Sequence, residues 1–217
     1  MLHARAWRLT CALTLLFFSV VSGAAAQQVM RAEIDYRVIE NPQPVSVTTG
    51  IEVIDFFWYG CPHCYNLQPA LERWIGRKPA DVTVRRIPAV LRDSWAPHAR
   101  IYYTLEVLGE TERLHQRVYH DYHVGKLAMS KPEVMSEWAV RNGIARERWD
   151  EAYNSPQVAQ KLAEAAKQTR AYKVTGTPSL VVQGRYLTSG SMAESLDGMI
   201  AILDGLVQRV RHQAAAH

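Results

Sequence analysis

IEVIDFFWYGCPHCYNLQP, residues 51–69, decides the fold: a β-branched and aromatic run ends at Gly60, and two cysteines three positions apart follow at once. Residues 51–59 read as a buried strand. Pro62 fits the first turn of a helix over about residues 62–77, because its missing N–H is one that a first turn leaves unpaired anyway. Pro69 interrupts that helix and is expected to kink it. Further on, DVTVRRIPAV (81–90) is a second strand signal. Strand, helix and strand within so short a span predict a βαβ unit with a parallel pair.

From Trp95 to Lys173 the pattern is helical throughout. Ser130-Lys131-Pro132-Glu133 is read as a capping box with proline in the first turn. Asn154-Ser155-Pro156-Gln157 starts another helix, with Val158, Leu162, Ala165 and Thr169 along one face. PSLVVQGRYL (178–187) predicts a hairpin turning at Gln183-Gly184, and a last amphipathic helix is expected over about residues 191–210. The order is β-α-β, a helical block, then β-β-α. The outer pieces can build one sheet, with the helical block inserted between them.

The chain has 217 residues, 48% hydrophobic and 21% charged, which is globular composition and excludes a disordered chain. Its first 26 residues stand apart. Arg5 and Arg8 make a basic start, Cys11 to Val21 is apolar without a charge, and Ala24 and Ala26 form an A-x-A site. The apolar run is far short of the ~20 residues a spanning helix needs. A secretory signal peptide cleaved after Ala26 is therefore expected. Cys11 opens the apolar run instead of following it, so it is not a lipoprotein site. After cleavage only Cys61 and Cys64 of the three cysteines remain, and loss of Arg5 and Arg8 takes the formal charge from +4 to +2. No Lys/Arg-rich run points to nucleic acid.

Three chemistries compete for the Cys-x-x-Cys pair. Structural zinc needs four ligands, and there is no second cysteine pair; His120 and His123 are more simply polar positions late in a helix. A structural staple would close a very short loop and restrain little chain entropy. A redox centre fits the strand–turn–helix context best. Cys61 falls where a helix N-cap sits, so free N–H groups of the first turn and the positive end of the helix dipole favour its thiolate. His63 adds a donor and, when protonated, a positive charge. These effects lower the Cys61 pKa. A stabilised thiolate stabilises the reduced form and makes the disulfide a stronger oxidant. Cys64, one turn into the helix, is expected to be more buried and to act as the resolving thiol.

CPHC after an aromatic strand, GTP (176–178) leading into a late strand, and the helical insertion between them resemble the DsbA-type periplasmic thiol:disulfide oxidases. Proteins of this type are a standing example of a strongly lowered cysteine pKa and an oxidising potential. The resemblance implies an α/β protein: a thioredoxin fold with an inserted α-helical domain. It divides the chain into a signal peptide (1–26), a first thioredoxin-like part (27–92), the insertion (93–172) and a second thioredoxin-like part (173–217). It implies a cis Pro178 facing the cysteines, with Thr177 offering its backbone to an extended substrate peptide. Reduced or unfolded exported proteins are the implied clients, and a quinone-linked inner-membrane protein of DsbB type the implied reoxidant. No separate cofactor and no metal are indicated.

Asp55 is the odd residue in its strand and shares a face with Ile51, Val53 and Phe57; Arg86 shares one with Val82 and Val84. The two are expected to meet beneath the active site, since a buried charge is costly unless paired. The family carries an acid and a cation at these positions, and Asp55 is read as moving a proton to or from Cys64. Gln68 replaces a second family acid, which eases thiolate formation. Trp58, Tyr59, Tyr65 and Trp95 are read as either a client-binding surface around Cys61 or core. Two other functions compete: an isomerase or reductase of the same fold, and a peptide-binding chaperone with incidental cysteines. Family isomerases carry an added N-terminal dimerisation domain, for which the segment after Ala26 is too short, so a monomer is expected.

Overall fold

All seven residues of the central strand are buried, as a run of Ile, Val and Phe on both faces requires. The computed structural model describes residues 30–215, so the proposed signal peptide lies outside the described residues. A two-residue strand β1 (Arg37–Val38) precedes β2 (Ile51–Phe57), α1 (Pro62–Arg77) and β3 (Val82–Pro88). A 3-10 turn at Asp93–Trp95 opens the helical block: α2 (Ala96–Leu108), α3 (Thr111–His123), α4 (Pro132–Arg141), α5 (Arg146–Tyr153) and α6 (Pro156–Ala171). The chain closes with β4 (Ser179–Val182), β5 (Tyr186–Ser189) and α7 (Leu196–Ala215). Among the described residues no helix is long and apolar enough to cross a membrane.

The sheet runs β1-β5-β4-β2-β3, with β2 parallel to β3 and every other pair antiparallel. Strand alternation splits the core. Ile51 and Val53 face Leu67, Leu71 and Trp74 of α1 and Met199, Leu203 and Leu206 of α7. Ile54 and Phe56 join a larger cluster that reaches across into Ile101, Leu105, Val118 and Trp138 of the helical block. This is the thioredoxin fold with a helical insertion that the sequence led us to expect, and β2 and β3 form the expected parallel pair.

Local chemistry explains most element ends. Ser155 caps α6: its Oγ accepts the Val158 N–H at 3.2 Å and Pro156 fills the first position. Ser155→Ala is expected to cost about 1 kcal/mol of stability, read by urea denaturation. The β4–β5 hairpin turns where expected, with φ of 51° at Gln183 and 62° at Gly184. A Cβ at Gly184 would also stand 2.1 Å from the Gln43 carbonyl oxygen, so only glycine fits.

Three expectations need correction. The central strand ends at Phe57 rather than Tyr59, because Trp58–Gly60 form a turn closed by the Cys61 N–H on the Trp58 carbonyl at 2.9 Å. Ser130 does not cap α4: Lys131 is the N-cap and no side chain bonds there, which leaves Pro132 alone to set the start. The last helix runs later than expected, beginning at Leu196. Ser189, Met192 and Ala193 are instead tied up in a turn, with the N–H groups of Met192 and Ala193 on the Ser189 carbonyl.

Sequence reading also passed over a buried ion pair. Glu52, fully buried on β2, accepts Arg85 Nε at 3.1 Å and is bonded by both the backbone N–H and the hydroxyl of Ser46. Arg85 in turn donates to Gln168 Oε1 of α6 at 2.9 Å, tying the helical block to the sheet.

Candidate active site

The turn after β2 and the first turn of α1 hold both thiols at the C-terminal edge of the sheet. Cys61 is the N-cap of α1, in extended conformation, and its sulfur accepts the Cys64 N–H at 3.4 Å. Both cysteines are free thiols. Gly60 allows the turn to pack tightly, because a Cβ there would meet the Trp58 ring at 2.3 Å.

The two thiols are tuned in opposite directions. The Cys61 pKa is lowered to about 5, first by the Cys64 thiol donating to its sulfur, then by the Thr177 hydroxyl and the backbone N–H groups of Cys64 and His63; burial opposes these. Cys64 is fully buried, and burial pushes its thiol well above the ordinary value, with the neighbouring Cys61 adding to the effect. The His63 ring is exposed; what reaches the sulfur is the His63 backbone N–H. Pro62 opens the helix at its first position.

The Thr177–Pro178 peptide bond is cis. Pro178 is buried, and the Thr177 carbonyl lies 3.2 Å from the Cys61 sulfur, where it accepts from the thiol form only. Carbonyl and hydroxyl of Thr177 therefore act in opposite senses: the first favours the thiol, the second the thiolate.

Beneath the pair, Asp55 and Arg86 are register partners across β2 and β3, as alternation predicts. Their side chains do not pair. Arg86 Nη2 donates to Glu72 of α1, and neither carboxylate oxygen of Asp55 has a protein partner. Asp55 is 1% exposed, and burial raises its pKa to about 7; Arg86 partly offsets this and Glu72 adds to it. Gln68 is buried too, with its Oε1 accepting Gln116 Nε2 of α3 at 2.9 Å.

Of the four aromatics weighed as a client surface, Tyr59 is core: it is fully buried and its hydroxyl lies 2.9 Å from His115 Nδ1. Trp58, Tyr65 and Trp95 are half-buried. Trp58 stacks on Trp95 at 4.1 Å with the rings 3° apart, and Tyr65 stacks on His123 at 4.9 Å. The two histidines considered as zinc ligands serve different ends, His120 beside Asp121 and His123 on the Tyr59 carbonyl at 2.8 Å. His115 and Tyr119, one turn apart on α3, were missed. The helical spacing of Leu114, His115, Val118 and Tyr119 marks a buried face, but nothing in it says which strand that face meets.

A reactive thiol at a helix N-terminus, backed by a protonated one a turn away, exchanges disulfides; on this fold it makes the protein a thiol:disulfide oxidoreductase of the thioredoxin type. Comparison with known proteins narrows the class. The DSBA-like thioredoxin domain family matches residues 91–201, and the chain belongs to that family. The thiol:disulfide interchange protein DsbA of Burkholderia cepacia is 34% identical over 178 residues, 82% of this chain and 84% of that protein. The DsbA of Pseudomonas aeruginosa is 33% identical over 180 residues, 83% of this chain and 85% of its own. Among solved structures, Pseudomonas aeruginosa DsbA superposes with a TM-score of 0.82 at 33% identity, covering 86% of this chain and 97% of that one. The oxidoreductase DsbA from Xylella fastidiosa gives 0.77 at 30% identity, covering 82% and 96%.

Proposed function

We propose that this protein is a periplasmic dithiol oxidase that donates a Cys61–Cys64 disulfide to reduced exported proteins. A client thiolate attacks the Cys61 sulfur, and Cys64 leaves. The client's second thiol then attacks the mixed disulfide, and the protein departs with both cysteines reduced. The observation that carries the reading is the opposed tuning of the two thiols, Cys61 down to about 5 and Cys64 up. A low-pKa Cys61 is a good leaving group when the client closes its own disulfide, and it stabilises the reduced protein.

The supporting residues take distinct parts. Pro62 fixes the helix start, and His63 acts through its backbone N–H. Cis Pro178 walls the site, and Thr177 offers its backbone to an extended client while its hydroxyl favours the Cys61 thiolate, which shifts the pair toward oxidant. Asp55 exchanges a proton with Cys64. Residues 1–26 form the signal peptide that sends the chain to the periplasm, and the mature protein acts as a monomer. The thioredoxin-like part is made by residues 27–92 and 173–217, around an insertion at 93–172. Each turnover leaves the pair reduced, so a partner must restore the disulfide; a quinone-linked inner-membrane protein of DsbB type fits that need.

The reduction potential of the purified protein, equilibrated against glutathione buffers, tests the direction of flow. A value well above that of the glutathione couple is expected. A value near that of a cytosolic thioredoxin would make the protein a reductase instead.

A further inference from the structure

Between the loop after β3 and the last turns of α6 lies a cavity that the thiol chemistry does not use. It has a volume of about 250 Å³, and Val90, Leu91, Thr169 and Val174 line it together with Arg92 and Arg170. That is room for one side chain rather than for a cofactor. Thr169 brings no free polar group to it: its hydroxyl donates to the Ala165 carbonyl at 2.7 Å and accepts the Val90 N–H at 3.2 Å. The inner walls are therefore apolar, and the charge stands at the rim. Arg92 and Arg170 are both exposed, and neither makes an ion pair among the described residues. Asp93 shares the rim, which leaves an excess of one positive charge.

Both sides of the cavity lead to Cys61. From Val174 three residues run to Thr177, whose carbonyl lies 3.2 Å from the Cys61 sulfur. From Arg92 the 3-10 turn runs to Trp95, whose ring stacks on Trp58, and the Trp58 carbonyl holds the Cys61 N–H. Thr175, between Val174 and Thr177, is exposed, and neither its N–H nor its carbonyl is hydrogen-bonded among the described residues. A backbone left open in this way is what an extended peptide pairs with. At ~3.3 Å per residue, a strand covers the step from Thr177 to Val174 in about 10 Å. A client joined to Cys61 and paired along residues 175–177 therefore brings a residue about three or four positions from its cysteine over the cavity.

We propose that this cavity is a specificity subsite for a glutamate of the client, about three or four residues from the client's reacting cysteine. The glutamate methylenes lie against Val90, Leu91 and Val174. The carboxylate meets the guanidinium groups of Arg92 and Arg170, whose forked N–H donors match its two oxygens. The excess positive charge ranks a carboxylate above an amide, and an amide above an ammonium group. The subsite rests on the reading of Thr177 as the backbone partner of an extended client. It does not depend on which way electrons flow at equilibrium.

The probes are peptides with one cysteine and a glutamate, glutamine, leucine or lysine set at increasing distances before or after it. The peptide thiolate bonds to the Cys61 sulfur, the Cys61–Cys64 bond breaks, and its electron pair leaves on Cys64. The opening rate at pH 7, divided by the same peptide's rate with hydroxyethyl disulfide, removes the reactivity of the peptide's own thiol. Glutamate peptides are expected to react about three- to tenfold faster than lysine peptides, at the reaching distance and on one side of the cysteine only. Added salt is expected to shrink the preference. Arg92→Glu combined with Arg170→Glu is expected to invert it, while opening by 2-mercaptoethanol stays unchanged. Equal rates for glutamate and lysine would overturn the proposal, as would a preference that survives the charge reversal. So would a leucine peptide as fast as the glutamate one, or a gain at every distance and on both sides, which is the mark of a general field. A low reduction potential would remove the oxidase reading and leave these rates just as informative.

Discussion

Alkylation of Cys61 in the reduced protein is expected to be half-maximal near pH 5, as its lowered pKa requires. An ordinary thiol titrates near 8.5, so at pH 7 Cys61 is almost wholly thiolate where an ordinary cysteine is only about 3% so. The same shift is a stability statement. A depressed folded pKa contributes stability that is fully present above the unfolded value and is lost as pH falls through the folded one. Below pH 5 the contribution is absent; at pH 7 it reaches about 2–3 kcal/mol, at 1.36 kcal/mol per pH unit. Above about pH 8.5 the Cys61 gain is complete, and Cys64 works the other way: its raised thiol stays protonated while the unfolded one ionises, so stability falls again. The oxidised protein has neither thiol. From denaturant melts, the stability of the reduced form relative to the oxidised one is therefore expected to be flat below pH 5 and to rise from there toward pH 8. Parallel curves across that range would remove the thiolate as the source of any oxidising power.

Asp55→Asn is expected to make the protein more stable and slower at once. Burial raises the Asp55 pKa from 3.8 to about 7. For an acid shifted this way the sign is reversed: folding is unpenalised below pH 3.8, and the penalty grows until the group ionises in the folded state near pH 7. Over that window it reaches at most about 4 kcal/mol. Asparagine carries no charge, so the variant should match the parent near pH 4 and exceed it at pH 8. Disulfide exchange should meanwhile fall about ten- to a hundredfold between pH 5 and 8, the loss of a proton donor to Cys64. A variant that gains stability without losing rate would leave Asp55 as a buried cost with no part in exchange.

Much of this site was legible in the sequence because it is local. The N-cap position of Cys61 and the burial of Cys64 follow from a strand ending just before a proline-led helix. Alternation placed Asp55 and Arg86 opposite each other. It could not show that Arg86 would turn to Glu72, because that choice depends on how α1 lies over the sheet. His115, Gln116 and Tyr119 lay out of reach for the same reason. A helix's period shows that it has an inner face, but the partner of that face is set by the packing of α3 against α1 and the turn after β2. The Glu52–Arg85 pair escaped because Glu52 sits in a strand whose apolar neighbours drew the reading, while its partners Ser46 and Arg85 come from separate segments.

The place of β2 in the sheet bears on how the chain comes together as it is made. β2 can pair with β3 almost as soon as both exist, since only α1 separates them. Its other neighbour, β4, follows the entire helical block, and the Thr177–Pro178 wall of the site arrives with it. Closing so large a loop adds chain entropy to the barrier and favours slow completion of the sheet. A chain emerging N-terminus first would thus present Cys61 and Cys64 before anything shields them. The protein's own thiols are exposed during its birth to the same chemistry that it later performs on others.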